Sequence, residues 1–154
     1  MYSRIAPSYD ELYGEEQRNK LKIIKENLNV KGLVLDIGSG TGLSKSFFNK
    51  IILLEPEINL IKQSYGKRVC GVAENLPFKD NSFDGVICIT AIHHFHLNKT
   101  IDEIKRISKK DTKYAFTIMK KSKSFDEIKK ELHKNFSLKE IEEEKDLILV
   151  SQTY

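Results

Sequence analysis

The chain has 154 residues, with 26 lysines and arginines against 22 acidic residues and a formal net charge of +4. This length fits one domain, and so mild a charge does not by itself imply a nucleic-acid partner. No apolar run approaches the roughly 18 residues that a membrane span needs, and residues 1–10 lack the basic-then-apolar pattern of a signal peptide. We therefore expect a cytoplasmic protein.

Short apolar runs alternate with amphipathic segments along the first half of the chain. This alternation is typical of a parallel sheet covered by helices on both faces. We expect helices at about 15–28, at 43–49 and just after Pro56, and strands at 33–37, 51–54, 68–72 and 83–89. Cys70 and Cys88 lie within apolar stretches and are predicted to be buried, reduced core residues.

The second half of the chain continues the pattern and ends in two strands. A loop at 90–98 holds three of the four histidines, and a helix at 100–109 and a strand at 113–119 follow it. Another helix is predicted at 124–134, with Ser124 as its N-cap. The last two strands are expected at 135–141 and 146–152. The connection between them is too short for a crossover, so the pair must be antiparallel.

A glycine-rich turn follows the first predicted strand, in the stretch VLDIGSGTG at 34–42. Glycines let the backbone turn sharply and approach a ligand without a Cβ clash, and such strand–turn–helix units bind nucleotide-type ligands in open α/β sheets. Asp36 would repel a pyrophosphate, whereas Glu55, at the end of the next strand, can accept hydrogen bonds from both ribose hydroxyls. The pattern therefore favours a nucleoside ligand over one that carries a pyrophosphate.

The sequence resembles the class I S-adenosylmethionine (SAM)-dependent methyltransferases, and most of all the ubiquinone/menaquinone-type C-methyltransferase group, methyltransferase type 11. The likeness rests on four stretches in the family's order: YSRIAPSYD at 2–10, LDIGSGTG at 35–42, GVAENLPFKDNSFD at 71–84 and IHHF at 92–95. It implies a Rossmann-like three-layer α/β/α sandwich with a seven-stranded, mostly parallel sheet and an antiparallel last strand. It also implies one SAM-binding methyltransferase domain over 1–154, with an N-terminal arm and helix at 1–30 and the core at 31–154.

By this resemblance SAM is the cofactor. The glycines approach its methionine and ribose parts, Asp36 lies near its amino group, and Glu55 holds the ribose. Val72 stands where similar proteins often carry an Asp that bonds the adenine amino group, which leaves the Ala73 N–H or Glu74 to recognise the base. The implied cofactor-binding residues are Tyr9, Asp36, Gly38, Ser39, Gly40, Gly42, Glu55, Pro56, Ala73, Glu74, Asn75 and Thr90. No metal site is expected.

The histidine cluster after the fourth predicted strand holds the catalytic candidates. Residues 90–94 should face the transferring methyl group, and His93 or His94 would position the acceptor or take its proton. The alternative is that one of these histidines packs the loop and the other is solvated. Methyltransferases that modify exocyclic amines or glutamine amides resemble one another in carrying Asn-Pro-Pro-Tyr or Asp-Pro-Pro-Tyr near this position. Neither motif occurs here, which argues against those acceptors.

Three interpretations of the acceptor stay open on the sequence. The first is a small metabolite, by resemblance to the quinone-type group. The second is RNA, because Lys120, Lys121 and Lys123 follow the fifth predicted strand. Residues 5–7 and 89–94 also resemble tRNA wobble-uridine enzymes, which often need a small activator protein. The third is a SAM-binding protein without turnover, suggested by Val72. The expected partners are thus the methyl acceptor, a small molecule or tRNA, and either a small activator protein or a second copy in a homodimer; no membrane partner is expected.

Overall fold

The computed structural model describes residues 2–64 and 66–152, and for residues 2–11 it describes the backbone alone. The strands are β1 (Val34–Ile37), β2 (Ile51–Glu55), β3 (Arg68–Cys70), β4 (Phe83–Cys88), β5 (Ser108–Met119), β6 (Leu138–Glu142) and β7 (Asp146–Ser151). The α-helices are α1 (Tyr2–Asn27), α2 (Ile58–Ile61), α3 (Leu97–Ile107) and α4 (Phe125–Asn135), and two 3-10 turns lie at Leu43–Ser46 and Ile92–His94.

The seven strands form one sheet in the order β3-β2-β1-β4-β5-β7-β6. Neighbours from β3 to β5 run parallel, and β7 is antiparallel to both β5 and β6. The predicted mostly parallel sheet with an antiparallel last strand is therefore confirmed. The strand order reverses between β1 and β4, and ligands of open α/β sheets bind at the carboxyl ends of the strands beside such a point.

Helices cover both faces of the sheet, which confirms the three-layer sandwich. Leu21 and Ile24 of α1, with Leu28 just after it, belong to the core on one face, and isoleucines of α3 together with Ile128 and Leu132 of α4 belong to the core on the other. Every residue of β1 is buried, because a central parallel strand is covered on both sides and reads as a continuous apolar run. Among the described residues, no helix has the length and apolar character to cross a membrane.

Several predicted helix bounds were wrong. The helix α1 begins at Tyr2 rather than near residue 15, and the helix predicted at 43–49 is only the 3-10 turn Leu43–Ser46. Serines and asparagine in 43–49 compete with the backbone for hydrogen bonds and so favour turns over helix. The helix α3 begins at Leu97, inside the predicted loop, because the His96 side chain caps it by accepting a hydrogen bond from the Lys99 N–H at 3.3 Å.

Two side-chain predictions also need correction. Ser124 occupies the N-cap position of α4, but its side chain makes no capping hydrogen bond. Cys88 is buried as predicted, whereas Cys70 is exposed. The strand β3 has three residues and lies at the edge of the sheet, so one side of Cys70 has no neighbouring strand to cover it.

Candidate functional site

The glycine-rich turn after β1 holds three residues in the left-handed region: Gly38 (φ 73°), Gly40 (φ 59°) and Gly42 (φ 85°). The backbone N–H groups of Gly38 and Ser39 both donate to the Leu54 carbonyl oxygen, at 2.8 and 2.9 Å. The turn is thereby fixed to the carboxyl end of β2. Left-handed φ values cost little only for glycine, so the backbone geometry itself explains these three positions.

The three glycines differ in what surrounds them. A Cβ at Gly38 would lie 2.7 Å from the Ala91 Cβ, and one at Gly42 would lie 2.7 Å from the Leu53 Cδ1, but one at Gly40 would meet no heavy atom within 4 Å. The outer glycines therefore serve close packing within the protein, and the central one borders open space where a ligand can approach the backbone.

Asp36 presents a buried carboxyl group beside this turn. It is 3% exposed, and the Ser44 hydroxyl donates a hydrogen bond to it. The pKa of Asp36 is raised to about 7, mainly because the group is buried; the Ser44 hydrogen bond acts in the opposite direction, and the nearby Glu55 carboxylate makes a smaller contribution to the rise. Such a group gains from a cation placed next to it, because an opposite charge favours the ionised form.

Glu55, at the end of β2, flanks the turn from the other side. Its Oε1 accepts a hydrogen bond from the Gly40 N–H at 3.0 Å, and its Oε2 accepts one from the Glu57 N–H at 2.7 Å. Each carboxylate oxygen has a second lone pair. Glu55 can therefore hold the turn in place and still accept hydrogen bonds from ligand hydroxyls.

A cleft opens along the turn and is walled on one side by α1. Tyr13, Gln17 and Leu21 follow one another at intervals of four residues and so share one face of α1. The Ser39 Oγ, also at the cleft, is buried and has no hydrogen-bond partner among the described residues. The cleft is lined by Tyr13, Gln17, Leu21, Asp36, Gly38, Ser39, Gly40, Thr41, Leu43, Ser44 and Ile89.

The sequence that forms this cleft matches a known protein family. Residues 35–116, more than half of the chain, match the model of a family described as Methyltransferase domain, type 11. The chain belongs to this methyltransferase family. The match includes the glycine turn, Asp36 and Glu55, and it confirms the resemblance drawn from the sequence.

Two uncharacterized proteins of Methanocaldococcus jannaschii are curated relatives of this methyltransferase domain. MJ0638 is 36% identical over 135 residues, which cover 84% of this chain and 57% of the relative, and MJ1252 is 33% identical over 124 residues, which cover 76% and 49%. The chain thus spans about half the length of these relatives. A SAM-dependent methyltransferase of Thermotoga maritima, named as a possible histamine N-methyltransferase, is 26% identical with a TM-score of 0.66 and covers 87% of this chain and 68% of its own.

The segment after β3 is held in place by a hydrogen bond to the side chain of Glu74. Glu74 accepts a hydrogen bond from the His96 N–H at 3.1 Å, which links this segment to the start of α3. Ala73 is buried, and the Asn75 N–H donates to the Val72 carbonyl oxygen at 3.3 Å. The carboxylate predicted to recognise adenine is thus already engaged by the protein in this methyltransferase domain.

Apolar side chains are exposed next to this segment. Val72 is 47% exposed and Ile58, on α2, is 46% exposed. Pro56, predicted as a cofactor residue, is exposed between β2 and α2. Because β2 and β3 run parallel and adjacent, these side chains lie at the same edge of the sheet as the glycine turn.

The two catalytic candidates have different environments. His94 is exposed, whereas His93 is half-buried and its Nδ1 is buried without a hydrogen-bond partner among the described residues. Burial lowers the pKa of His93, and the neighbouring His94, whose ring centroid is 4.0 Å away, lowers it further. His93 is thus kept neutral and retains an unused ring nitrogen.

His93 also lines a second hollow, which lies between the 92–98 segment and α4. Phe95 forms part of its wall, and the Phe95 Cζ lies 3.3 Å from the position of a Cβ on Gly38. The second hollow is therefore adjacent to the glycine turn. Its lining comprises Ile92, His93, Phe95, His96, Leu97, Asn98, Ser124, Glu127 and Ile128.

The remaining sequence-predicted site residues have mixed outcomes. Thr90 lies at the carboxyl end of β4 with φ 55°, while the side chain of Tyr9 lies outside the described residues. Of the three lysines after β5, Lys120 pairs with the Glu142 carboxylate at 2.7 Å, so the basic rim predicted there is partly neutralised.

Sequence reasoning missed a buried ion pair behind the cleft. Lys20 of α1 and Asp146 of β7 are 3% and 1% exposed, and the Lys20 Nζ lies 3.1 Å from the Asp146 Oδ2. Thr90 contacts both of them. The sequence carries no signal for this pair, since the two residues are far apart in the chain and charged residues are common throughout it.

Proposed function

We propose that this methyltransferase domain binds SAM in the cleft along the glycine turn and transfers its methyl group to a small-molecule acceptor. The observation that carries the proposal is the open position at Gly40, whose N–H is bonded to the Glu55 carboxylate and which lines the same cleft as the Asp36 carboxyl group. A ligand that presents an amine to one acid and vicinal hydroxyls to the other fits this arrangement, and SAM has both groups.

The residues at the turn fit such a cofactor. Asp36 would hold the amino group, Glu55 would accept hydrogen bonds from the ribose, and the backbone at Gly40 would lie against the ligand. The Ser39 Oγ, buried and unpartnered, would gain a hydrogen-bond partner. A buried polar group without a partner is costly, so its presence supports a polar ligand here.

The adenine would lie over the carboxyl ends of β2 and β3. The exposed side chains of Ile58 and Val72 offer apolar contact to a purine. Since Glu74 is bonded to the His96 N–H, base recognition would fall mainly to the backbone around Ala73 and Asn75. This mode relies on apolar packing more than on a side-chain hydrogen bond.

SAM supplies an electrophilic methyl group, whose transfer is an in-line displacement that needs orientation and a dry site. The wall of α1 would exclude water from the cleft, and the Tyr13 ring face would favour a sulfonium cation. His93, which is kept neutral and lines the second hollow where the acceptor would bind, would accept the proton that an O–H or N–H acceptor releases.

A small acceptor fits the second hollow better than RNA does. The hollow is enclosed by the 92–98 segment and α4, and Lys120 at the basic rim is paired with Glu142. The Thermotoga maritima relative is named as a possible histamine N-methyltransferase, which makes small amines the first acceptors to screen. The unpartnered His93 nitrogen favours turnover over cofactor binding alone. A homodimer or an activator protein stays a prediction.

Calorimetric titration with SAM, S-adenosylhomocysteine and NAD tests the cofactor. We expect micromolar binding of both adenosyl ligands and no binding of NAD. If NAD bound and SAM did not, the proposal would be wrong. Methyl-labelled SAM, incubated in parallel with a panel of small amines and hydroxy compounds and with tRNA, tests the acceptor. Label transferred to tRNA alone would overturn the small-molecule assignment.

A further inference from the structure

A buried ammonium group lies directly behind the cofactor cleft. The Lys20 Nζ has acceptors in the Asp146 Oδ2 at 3.1 Å, the Thr90 Oγ1 at 3.1 Å and the Gln17 Oε1 at 3.3 Å. A lysine ammonium has three N–H donors, so all three are used. Residues from α1, from the end of β4 and from β7 therefore hold the ammonium group in one position.

Stability alone is a poor explanation for such a pair. Removing two charges from water is costly, and buried ion pairs can often be replaced by apolar side chains without loss of stability. Lys20 and Asp146 are both almost fully buried, and they lie between α1 and the sheet, on the face that carries the apolar cluster of Leu21 and Ile24. Their position against the cleft points to a role in the site.

Thr90 provides a second, independent observation. Its φ of 55° is in the left-handed region, which is unfavourable for a β-branched residue. Its N–H donates to the Thr117 Oγ1 at 2.6 Å, and its own hydroxyl lies 3.1 Å from the Asp146 Oδ2. Strained residues persist where surrounding contacts over-determine them, and they concentrate at functional sites.

The strained turn and the ion pair each contact a residue that lines a different wall of the cleft. The turn at Thr90 places Ala91 so close to the glycine turn that a Cβ on Gly38 would lie 2.7 Å from the Ala91 Cβ. On the other wall, Lys20 binds the oxygen of Gln17, whose side chain lines the cleft. Loss of the ammonium would remove one hydrogen bond from the Thr90 hydroxyl and one from the Gln17 side chain, so both would be held less firmly.

We propose that Lys20 and Asp146 are positioning residues of the cofactor cleft, whose ion pair fixes the Gln17 side chain and the strained Thr90 turn against the glycine turn. The inference rests on the proposed SAM site. The two residues act through Gln17 and Thr90 and are not themselves assigned any contact with cofactor or acceptor.

The chain offers a matched control for the test. Lys145 and Glu16 form a second ion pair between α1 and the start of β7, but the Lys145 side chain is 61% exposed. The dissociation constant of S-adenosylhomocysteine would be measured by calorimetry for Lys20→Met, Lys145→Met and the wild type, at a temperature where all three are fully folded. We expect at least a tenfold weaker complex for Lys20→Met and a change below twofold for Lys145→Met.

A double variant, together with two substitutions of Thr90, keeps the proposal testable if Lys20→Met fails to fold. Lys20→Met with Asp146→Leu removes both charges, so it leaves no unpaired ion, and it should still bind at least tenfold more weakly. Thr90→Val should weaken binding because it removes the hydroxyl, whereas Thr90→Ser should retain it. Wild-type affinity in a folded Lys20→Met or double variant would overturn the positioning role alone. Absence of binding by the wild type would instead overturn the proposed function and this inference with it.

Discussion

The hydroxyl group of Ser44, on the first 3-10 turn, donates a hydrogen bond to the buried carboxyl group of Asp36 on β1. The bond favours the ionised carboxylate, but burial has the larger and opposite effect, so the pKa of Asp36 rises to about 7. The carboxyl group therefore changes its charge in the neutral range, at the place where a cationic amino group is proposed to bind.

Cofactor affinity should depend on pH through Asp36. With a pKa of about 7, the ionised fraction rises from about one-tenth at pH 6 to about nine-tenths at pH 8. The affinity for S-adenosylhomocysteine should therefore increase about tenfold over this range, because a ligand ammonium binds the ionised form better. Calorimetry at several pH values measures this.

Two variants test the assignment to Asp36. Asp36→Asn should bind weakly at every pH, because it has no titrating carboxyl group. Ser44→Ala removes the bond that lowers the pKa, so the rise in affinity should move to higher pH. Affinity that stays constant from pH 6 to 8 in the wild type would contradict the role proposed for Asp36.

Substitution of Glu55 should separate cofactor binding from turn stability. Glu55→Ala leaves the Gly40 and Glu57 N–H groups without their acceptor, so it should lower the free energy of unfolding by about 1–3 kcal/mol. Glu55→Gln retains one acceptor oxygen and should unfold closer to wild type. Both variants should bind S-adenosylhomocysteine at least about tenfold more weakly, because hydrogen bonds to a charged group contribute about 1.5–3 kcal/mol.

Glu57→Gln is the control, because Glu57 is an exposed acid on the same segment. The affinity of this variant for S-adenosylhomocysteine should stay within about twofold of wild type, because solvent and salt screen the loss of a negative charge at an exposed site. Equal losses in Glu55→Gln and Glu57→Gln would show that local charge, and not a specific carboxylate, sets the affinity.

The parts of the site that depend on local sequence could be predicted. The glycine turn, Asp36 and Glu55 are marked by short motifs next to buried strands, and β1 and β2 were predicted to within one residue. Helix ends were less predictable, because capping depends on single contacts. The start of α3 rests on a histidine side chain that caps it, and histidine is not among the residues preferred at N-caps.

The parts that depend on distant contacts could not be predicted. Lys20 and Asp146 are separated by most of the chain, and in a sequence with 31% charged residues neither stands out. The same holds for Glu74, whose bond to the His96 N–H depends on how the loop after β3 packs on α3. The packing of α1 on the sheet brings the first pair together, and the packing of the loop on α3 brings the second together.

Gly40 and Gly42 of the turn should respond differently to substitution by alanine. At Gly40 a Cβ would meet no heavy atom, so Gly40→Ala should cost about 1–2 kcal/mol of stability for the left-handed backbone. At Gly42 a Cβ would lie 2.7 Å from the Leu53 Cδ1 and 2.9 Å from the Ser64 Cβ. Gly42→Ala should therefore destabilise the fold by roughly a further 1–3 kcal/mol through overpacking.

Thermal unfolding and calorimetry on the same two variants check this contrast. Gly40→Ala should remain the more stable variant and yet lose more affinity for S-adenosylhomocysteine at a temperature where both are folded, because its methyl group enters the cleft. If Gly40→Ala bound the ligand as tightly as the wild type, the ligand would not lie against this residue, and the proposed cofactor site would be wrong.

His93 should contribute to the acid sensitivity of the fold. Burial holds the pKa of His93 below its usual value, so the unfolded chain binds a proton at this residue more readily than the folded protein does. The resulting stability is present above about pH 6.5 and is lost as pH falls through the unfolded pKa toward the folded one. His93→Gln should therefore lose less stability between pH 7.5 and 5.5 than the wild type does.

Urea unfolding midpoints at the two pH values, compared among wild type, His93→Gln and His94→Gln, measure this difference. His94→Gln should fall between the wild type and His93→Gln, because it removes the neighbouring group that lowers the pKa of His93 and leaves the larger effect of burial in place. The comparison cancels the contributions of all other titrating groups, which the three proteins share. An identical loss in His93→Gln and the wild type would mean that His93 protonates freely in the folded protein, and it would then be a poor proton acceptor near neutral pH.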